Sequence, residues 1–498
     1  MAAIITEKFR LHNADQFEES FTESSNNTYY LFIGKNTPYT SGTTGGSDSS
    51  PPTPVDGPSE EFFIWDDMIA AKKIATTNVQ RVVPRRNWVN GTIYDMYRPD
   101  YSASVTTTSG ASNLYDSTFY FITSDFRVYK VLDNNAGTAY SGTEPTSTAA
   151  AIFTLGGYVL QFMYSLTSVQ INNFLTADFI PITTDSTISA AATDGAIDSL
   201  IITSGSGYTN GTYYAAVYGD GASQGTSSGA VVRITVSSNI IQDFGFVAGT
   251  DTTVHRSGSG YTFGTVNLTS GFTFSNSNLS SASSMGGSGG AVAVVIGPKG
   301  GHGFNAPKEL GGHYVMMSTT LTAAEGDDFA TGNDFRKIGI LVDPHAFGTT
   351  TVASITTARM TYALKLTTQS GTFDGDEKIT QTGTGAIGKV VEWDSSNSIL
   401  YYTQERFGDF GTNGTTGSYV AFSGANVVTG ATTGAVGTPD TNVDSLITLA
   451  GGNTISFTDG YANPELAADS GNLIYLENRK PISRSNDQIE DIKVIVEF

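Results

Sequence analysis

The sequence predicts a mainly β, multi-domain protein, with an α+β frame of few short helices and β-sandwich or β-barrel-like domains. Three observations predict it. Only 15% of residues are charged, while the chain carries 56 Gly, 24 Tyr and 28 Phe, a balance that favours short strands and tight turns. Strand-length apolar runs bounded by turn residues recur along the chain, whereas helical periodicity is confined to two short segments. At 498 residues the chain is long enough to bury several cores.

Residues 13–23 place Phe17 and Phe21 four apart among acids, a short amphipathic helix. Tyr30-Leu31-Phe32-Ile33-Gly34-Lys35, closed by Thr37-Pro38-Tyr39, is a strand ending in a turn. Thr40 to Pro58 is rich in Gly, Ser, Thr and Pro and reads as an exposed loop. After it, Ser59 is a capping residue and Glu60 and Glu61 sit in a first helical turn. Trp65, Met68, Ile69 and Lys72 then carry that helix to about Ala75.

Beyond Trp88 come the strands Phe119–Ile122, Arg127–Leu132 and Tyr158–Tyr164, with Asp133-Asn134-Asn135 as a turn after the second. The last residues, Ile492, Val494, Val496 and Phe498, alternate as one face of a strand, where a frayed terminus is ordinarily polar.

Two segments contain internal repeats. Gly205-Ser206-Gly207-Tyr208-Thr209 recurs as Gly258-Ser259-Gly260-Tyr261-Thr262, each followed by a Gly-rich turn and an apolar run, Gly229–Val232 and Gly290–Val295. Phe373-Asp374-Gly375 to Gly385–Gly388 recurs at a constant offset as Phe422-Ser423-Gly424 to Gly434–Gly437. Glycines fixed between apolar residues mark tight turns, so each segment reads as a small β domain of two similar hairpin units.

Composition and motif spacing argue against several functions. There is no cysteine, hence no disulfide framework and no thiolate metal site. No apolar run reaches the roughly 18–20 residues of a membrane span, and the first twenty residues lack a secretory h-region. Folding in a cytoplasm is the simplest expectation. A formal charge of −21 opposes nucleic-acid binding and favours basic partners.

Gly383-Thr384-Gly385-Ala386-Ile387-Gly388-Lys389 mimics a dinucleotide fingerprint, yet Val390–Trp393 behind it is strand-like where phosphate binding needs a helix N-terminus. Gly286-Gly287-Ser288-Gly289-Gly290 has nucleophile-elbow spacing but precedes an apolar strand, so it reads as a linker or hairpin turn. His302 and His313 are too far apart in sequence for a metal motif. Asp374, Asp376 and Glu377 offer oxygen ligands for calcium, but the second copy lacks these carboxylates and a solvated turn is preferred. The chain therefore reads as a non-enzyme, with no catalytic, cofactor-binding or metal residue and no cofactor.

The residues singled out as interface or frame-pinning candidates are Arg81, Arg85, Arg86, Trp88, Arg98, Glu477, Asn478, Arg479 and Phe498. Arg81, Arg85, Arg86 and Arg98 are the basic concentration of an acidic chain, interleaved with Trp88, Tyr94 and Tyr97. Arg, Trp and Tyr dominate the centres of protein interfaces. They equally serve as internal clamps, with Arg85 and Arg86 paired to carboxylates such as Glu477 or Asp487.

Four places carry a family resemblance: Ile4–Arg10; Tyr30–Lys35 with Thr37-Pro38-Tyr39; Pro84-Arg85-Arg86-Asn87-Trp88; and Asp334–Ile340 together with Glu477-Asn478-Arg479-Lys480-Pro481-Ile482 and Asp487-Gln488-Ile489-Glu490. In this order they resemble the small baseplate wedge protein family of T-even-like contractile-tail phages, the inner-baseplate dimeric wedge subunit. The resemblance implies an opening strand over Ile4–Arg10 and a virion structural protein of the viral tail baseplate, assembled in the host cytoplasm. It also implies a homodimer that contacts other wedge proteins and takes part in baseplate rearrangement during infection.

On that pattern residues 1–195, 301–365 and 446–498 form the frame. Residues 196–300 and 366–445 are two inserted Gly-rich repeat domains that face peripheral baseplate or fibre proteins. The rival readings are a receptor-binding, fibre-like adhesin, with Tyr208 and Tyr261 stacking on host surface glycans, and a tail-associated polysaccharide lyase or hydrolase.

Overall fold

The computed structural model describes residues 6–23, 27–39, 46–222, 229–242, 252–271, 273, 278–321, 333–405, 419–449, 452–483 and 489–498. Strands dominate it, with five short helices among the described residues, as the composition predicts. The chain divides into two compact units. One comprises residues 1–16, 80–316 and 495–498, and the other 17–79 and 317–494.

The second unit is built on a five-stranded sheet in the order Thr357–Arg359, Met68–Lys73, Tyr29–Gly34, Phe335–Val342 and Asn472–Ile482. Every residue of Tyr29–Gly34 and Phe335–Val342 is buried, so neither strand has a wet face. Tyr30, Phe32, Met68, Ala71 and Leu341 pack with Ile64 of the helix Pro58–Asp67. The ring of Phe21 stacks on Tyr29 at 4.2 Å. In the ladder Phe32 pairs with Gly339, and Gly339 with Leu476. A Cβ on Gly339 would lie 2.3 Å from the Phe32 ring and 2.6 Å from the Tyr475 carbonyl, so this glycine is a packing requirement.

Two local expectations are corrected here. The helix after the Gly/Ser/Thr-rich loop begins at Pro58 behind a Gly57 cap and stops at Asp67; it does not start from a Ser59 cap or reach Ala75. Met68–Lys73 is instead a strand pairing Ala71 with Phe32 and Ala70 with Ile33, so tertiary pairing overrides the helix propensity of its alanines. At the start of the chain Glu7–Glu19 is a helix, where an opening strand was expected; Ile4 and Ile5 fall outside the described residues.

The second repeat segment forms a closed barrel within this unit. Tyr362–Ser370, Ile399–Thr403, Ile387–Asp394, Lys378–Gln381, Val428–Gly430 and Val436–Pro439 pair in that order, and the last returns to the first. Phe373 and Phe422, and Ala386 and Ala435, meet as equivalent residues in one core. The Glu377 carboxylate accepts bonds from Thr432 N and Thr433 N, both at 3.1 Å, and from Asp374 N at 3.0 Å. A solvated turn was expected for Glu377; it is 4% exposed and binds one repeat to the turn of the other.

In the first unit, Tyr120–Ile122, Arg127–Asp133, Tyr158–Ser165 and Phe153–Leu155 form a four-stranded sheet. Val128 and Leu132 pack on one face with Phe119, Ile180 and Leu310, while Tyr129 and Val131 pack on the other with Tyr94, Phe121 and Tyr158. A smaller core joins Val82, Phe174 and Met316 with Tyr314 and Ile495 of the last strand, Glu490–Glu497.

The first repeat segment is also part of this unit, and its repeats are not self-contained hairpins. The opening strand of copy one, Ile197–Tyr208, pairs with the closing strand of copy two, Gly286–Ile296. The opening strand of copy two, Thr253–Arg256, pairs with the closing strand of copy one, Val231–Ser237. Gly286–Gly290 is thus ladder rather than linker.

The repeated tyrosines explain the exchange. Tyr208 accepts a bond from Gly290 N at 2.8 Å, and Tyr261 accepts one from Ala230 N at 3.1 Å. A Cβ on Gly287 would sit 2.2 Å from the Tyr208 ring and one on Gly221 2.4 Å from the Tyr261 ring, so each tyrosine fills space that glycines of the other copy leave open.

Gly339→Ala is predicted to lower the stability of the second unit by about 1–3 kcal/mol through overpacking, read as a shift in urea midpoint. An unchanged midpoint would show that the Phe32 ring has room to move.

Candidate interface and frame-pinning residues

The basic cluster folds inward rather than forming a free cationic surface. Arg81, on the strand Val79–Pro84, is 2% exposed; its guanidinium pairs with Asp15 and donates from Nε to the Gly312 carbonyl at 2.6 Å. Arg86 lies over the Tyr120 ring at 4.4 Å and donates to the Tyr115 carbonyl at 3.0 Å. Arg85 bonds Asn87 Oδ1 and the Thr176 carbonyl, both at 2.8 Å. These half-buried side chains therefore take neutral acceptors rather than the expected carboxylate clamp, and Asp487 lies outside the described residues. Arg81 has an internal clamp on a carboxylate, through Asp15.

Trp88 meets Tyr140 edge-on at 5.8 Å, and Arg98 forks onto Asp100 at 2.9 and 2.6 Å. Next to this motif Val89 and Ile93 are exposed, at 54% and 37%.

Within the first unit the Phe498 N–H donates to the His313 carbonyl at 3.1 Å, and the Phe498 carbonyl accepts from Arg10, which also pairs with Glu497. Burial and the neighbouring Arg10 push His313 down to about 4, so the imidazole is neutral. In the second unit Glu477 accepts from the Tyr475 hydroxyl at 2.9 Å and sits 3.4 Å from Arg479. Asn478 donates to the Pro52 carbonyl at 3.0 Å.

Sequence reasoning missed the interactions that carry the most charge into the interior. Asp67, at the end of the helix Pro58–Asp67, lies 3.0 Å from Lys337 Nζ and 3.7 Å from Lys35 Nζ, all three nearly inaccessible. Burial opposes the charge on Asp67, but Lys337 and Lys35 outweigh it and hold the carboxyl below its ordinary value. Arg336 donates to both oxygens of Asp48 at 3.0 Å, so the expected exposed loop is anchored from inside the sheet. Glu405 shares this neighbourhood: burial first, then Asp67, raise its carboxyl to about 7.

In the first unit Lys130 pairs with Glu309, at 0% and 1% side-chain exposure. Glu309 also accepts from Gly303 N at 2.9 Å and Asn305 N at 3.0 Å. The legible signal was a single lysine inside an apolar strand, Lys130 in Arg127–Asp133 and Lys337 in Phe335–Val342; such a charge needs a partner. Among the described residues no group of three or more His, Asp or Glu side chains is placed to hold a metal ion.

Residues 3–143 and 446–498 match the family model described as Phage-Gp8: Bacteriophage T4, Gp8. Over these residues the chain is similar to that family. The match spans less than half of the sequence. All nine candidate residues fall inside it, whereas both repeat segments and Asp334–Ile340 fall outside. No curated protein matches the chain.

Lys130→Met is predicted to cost about 3–5 kcal/mol by leaving Glu309 buried and uncompensated. Adding Glu309→Gln should restore more than half of that loss, read by urea unfolding; equal losses in single and double variants would contradict the pairing.

A second expectation concerns pH. The folded state holds a proton on Glu405 between its ordinary 4.5 and about 7, so stability falls as pH rises through that window. Glu405→Gln should flatten the dependence, an effect of at most about 3 kcal/mol across the window. A wild-type slope that persists in the variant would assign it elsewhere.

Proposed function

We propose that this chain is a non-enzymatic structural subunit of a phage tail baseplate wedge, holding neighbouring wedge proteins together within the virion and repacking those contacts during infection. The observation that carries the reading is the family match, which contains both the Pro84–Trp88 motif and the closing strand Glu490–Glu497. The buried ion pairs support rigidity within each unit, because a desolvated pair holds its segments in one register.

The chain acts as a homodimer, an arrangement in which one self-complementary patch suffices. The Arg85–Ile93 stretch, with its exposed Val89 and Ile93, is the proposed centre of a subunit contact. Residues 196–300 and 366–445 are insertions into the frame formed by 1–195, 301–365 and 446–498, and they meet peripheral baseplate or fibre proteins. Assembly takes place in the host cytoplasm.

The adhesin reading loses its main support. Tyr208 and Tyr261 are 4% and 2% exposed, which leaves neither ring free to stack on a sugar.

Light scattering on the purified full-length chain is expected to return the mass of a dimer. Val89→Asp with Ile93→Asp should shift it to monomer without changing the melting temperature. A stable trimer would contradict the wedge reading and favour a fibre.

A further inference from the structure

The second unit contains a cavity of about 360 Å³ walled by Trp65, Phe347, Tyr362 and Tyr419, with Asp66 and Asp469 also in the lining. Ligand cavities begin at roughly this size, about 300 Å³. Tyr362 and Tyr419 stand at 74° with ring centroids 6.0 Å apart, and their hydroxyls are hydrogen-bonded to each other. Behind them Tyr362 stacks on Tyr402 at 5.5 Å, which fixes the first wall. Phe347 is 49% exposed at this cavity, an unusual place for a phenyl ring in a folded unit.

Two walls near a right angle make a box rather than the single flat platform on which a sugar ring stacks. Aromatic faces carry negative quadrupole potential, so a box of them attracts a cation. Carboxylates in the same lining add charge of the same sign. A planar guanidinium suits such a site better than an ammonium, because it stacks on rings and forks onto a carboxylate at once. The formal charge of −21 steers basic partners toward the surface.

We infer that this aromatic and acidic cavity receives an arginine side chain presented by another protein.

Isothermal titration of the full-length chain with N-acetyl-arginine amide, and with N-acetyl-citrulline amide as its neutral counterpart, tests the inference. The arginine compound is expected to bind saturably with a dissociation constant on the order of 1 mM, and the citrulline compound not to bind. Asp469→Asn, at an exposed position, should weaken binding about tenfold. Phe347→Ala should weaken it as well, which separates the cavity from general attraction to an acidic surface. Absence of saturable heat, equal binding of the citrulline compound, or undiminished binding in both variants would overturn the assignment, as would preferential binding of a neutral hexose.

Discussion

The architecture of the second unit depends on one carboxylate between two ammonium groups. Asp67 meets Lys35 and Lys337 where water is excluded, and a charge in such a place is tolerated only when paired. The three residues belong to segments far apart in sequence. Their meeting fixes where the helix Pro58–Asp67 ends, where the strand Met68–Lys73 begins, and how Tyr29–Gly34 turns away. The Lys35 N–H also donates to the Asp67 carbonyl at 2.7 Å, so backbone and side chain specify the same corner. Because side chains alternate along a strand, Arg336 leaves the opposite face from Lys337 and clamps Asp48 there. One strand thereby organises both of its sides.

The first unit uses the same device with different parts. Lys130 enters the interior from a strand whose neighbours are apolar, and Glu309 meets it from the short helix Ala306–Glu309. Burial, with Lys130 nearby, keeps His302 neutral, and Tyr97 lies edge-on to it at 5.0 Å. Both repeat segments solve a related problem through exchange. Tyr208 and Tyr261 each pack on glycines of the other copy, and Glu377 grips the turn at Thr432 and Thr433. A duplicated unit that lends its key side chain to its twin gains a closed core from two incomplete halves.

How much of this was legible in the sequence follows from the range of the forces involved. Tyr29–Gly34, Arg127–Asp133, Tyr158–Ser165 and the closing strand were readable because period-two or continuous apolar runs are local signals. Both repeats were visible, yet the strand exchange in the first was not, since pairing partners are set by tertiary packing. Met68–Lys73 was misread as helix for the same reason: its alanines favour helix until Phe32 and Ile33 offer a ladder. The arginines of the basic cluster stand out in an acidic chain. Their partners were not foreseeable, because the Thr176 and Tyr115 carbonyls arrive from loops with no sequence signature. Lys130 and Lys337 gave a sharper clue, a charge in an apolar strand, that motif searching passed over.

Cryo-electron microscopy of an intact contractile-tail virion that carries this chain tests the central claim most directly. The account predicts density for the chain in the inner baseplate, two copies to each wedge, with the Arg85–Ile93 stretch buried against a neighbouring subunit. Density confined to fibre tips, or three copies around a fibre axis, would contradict it.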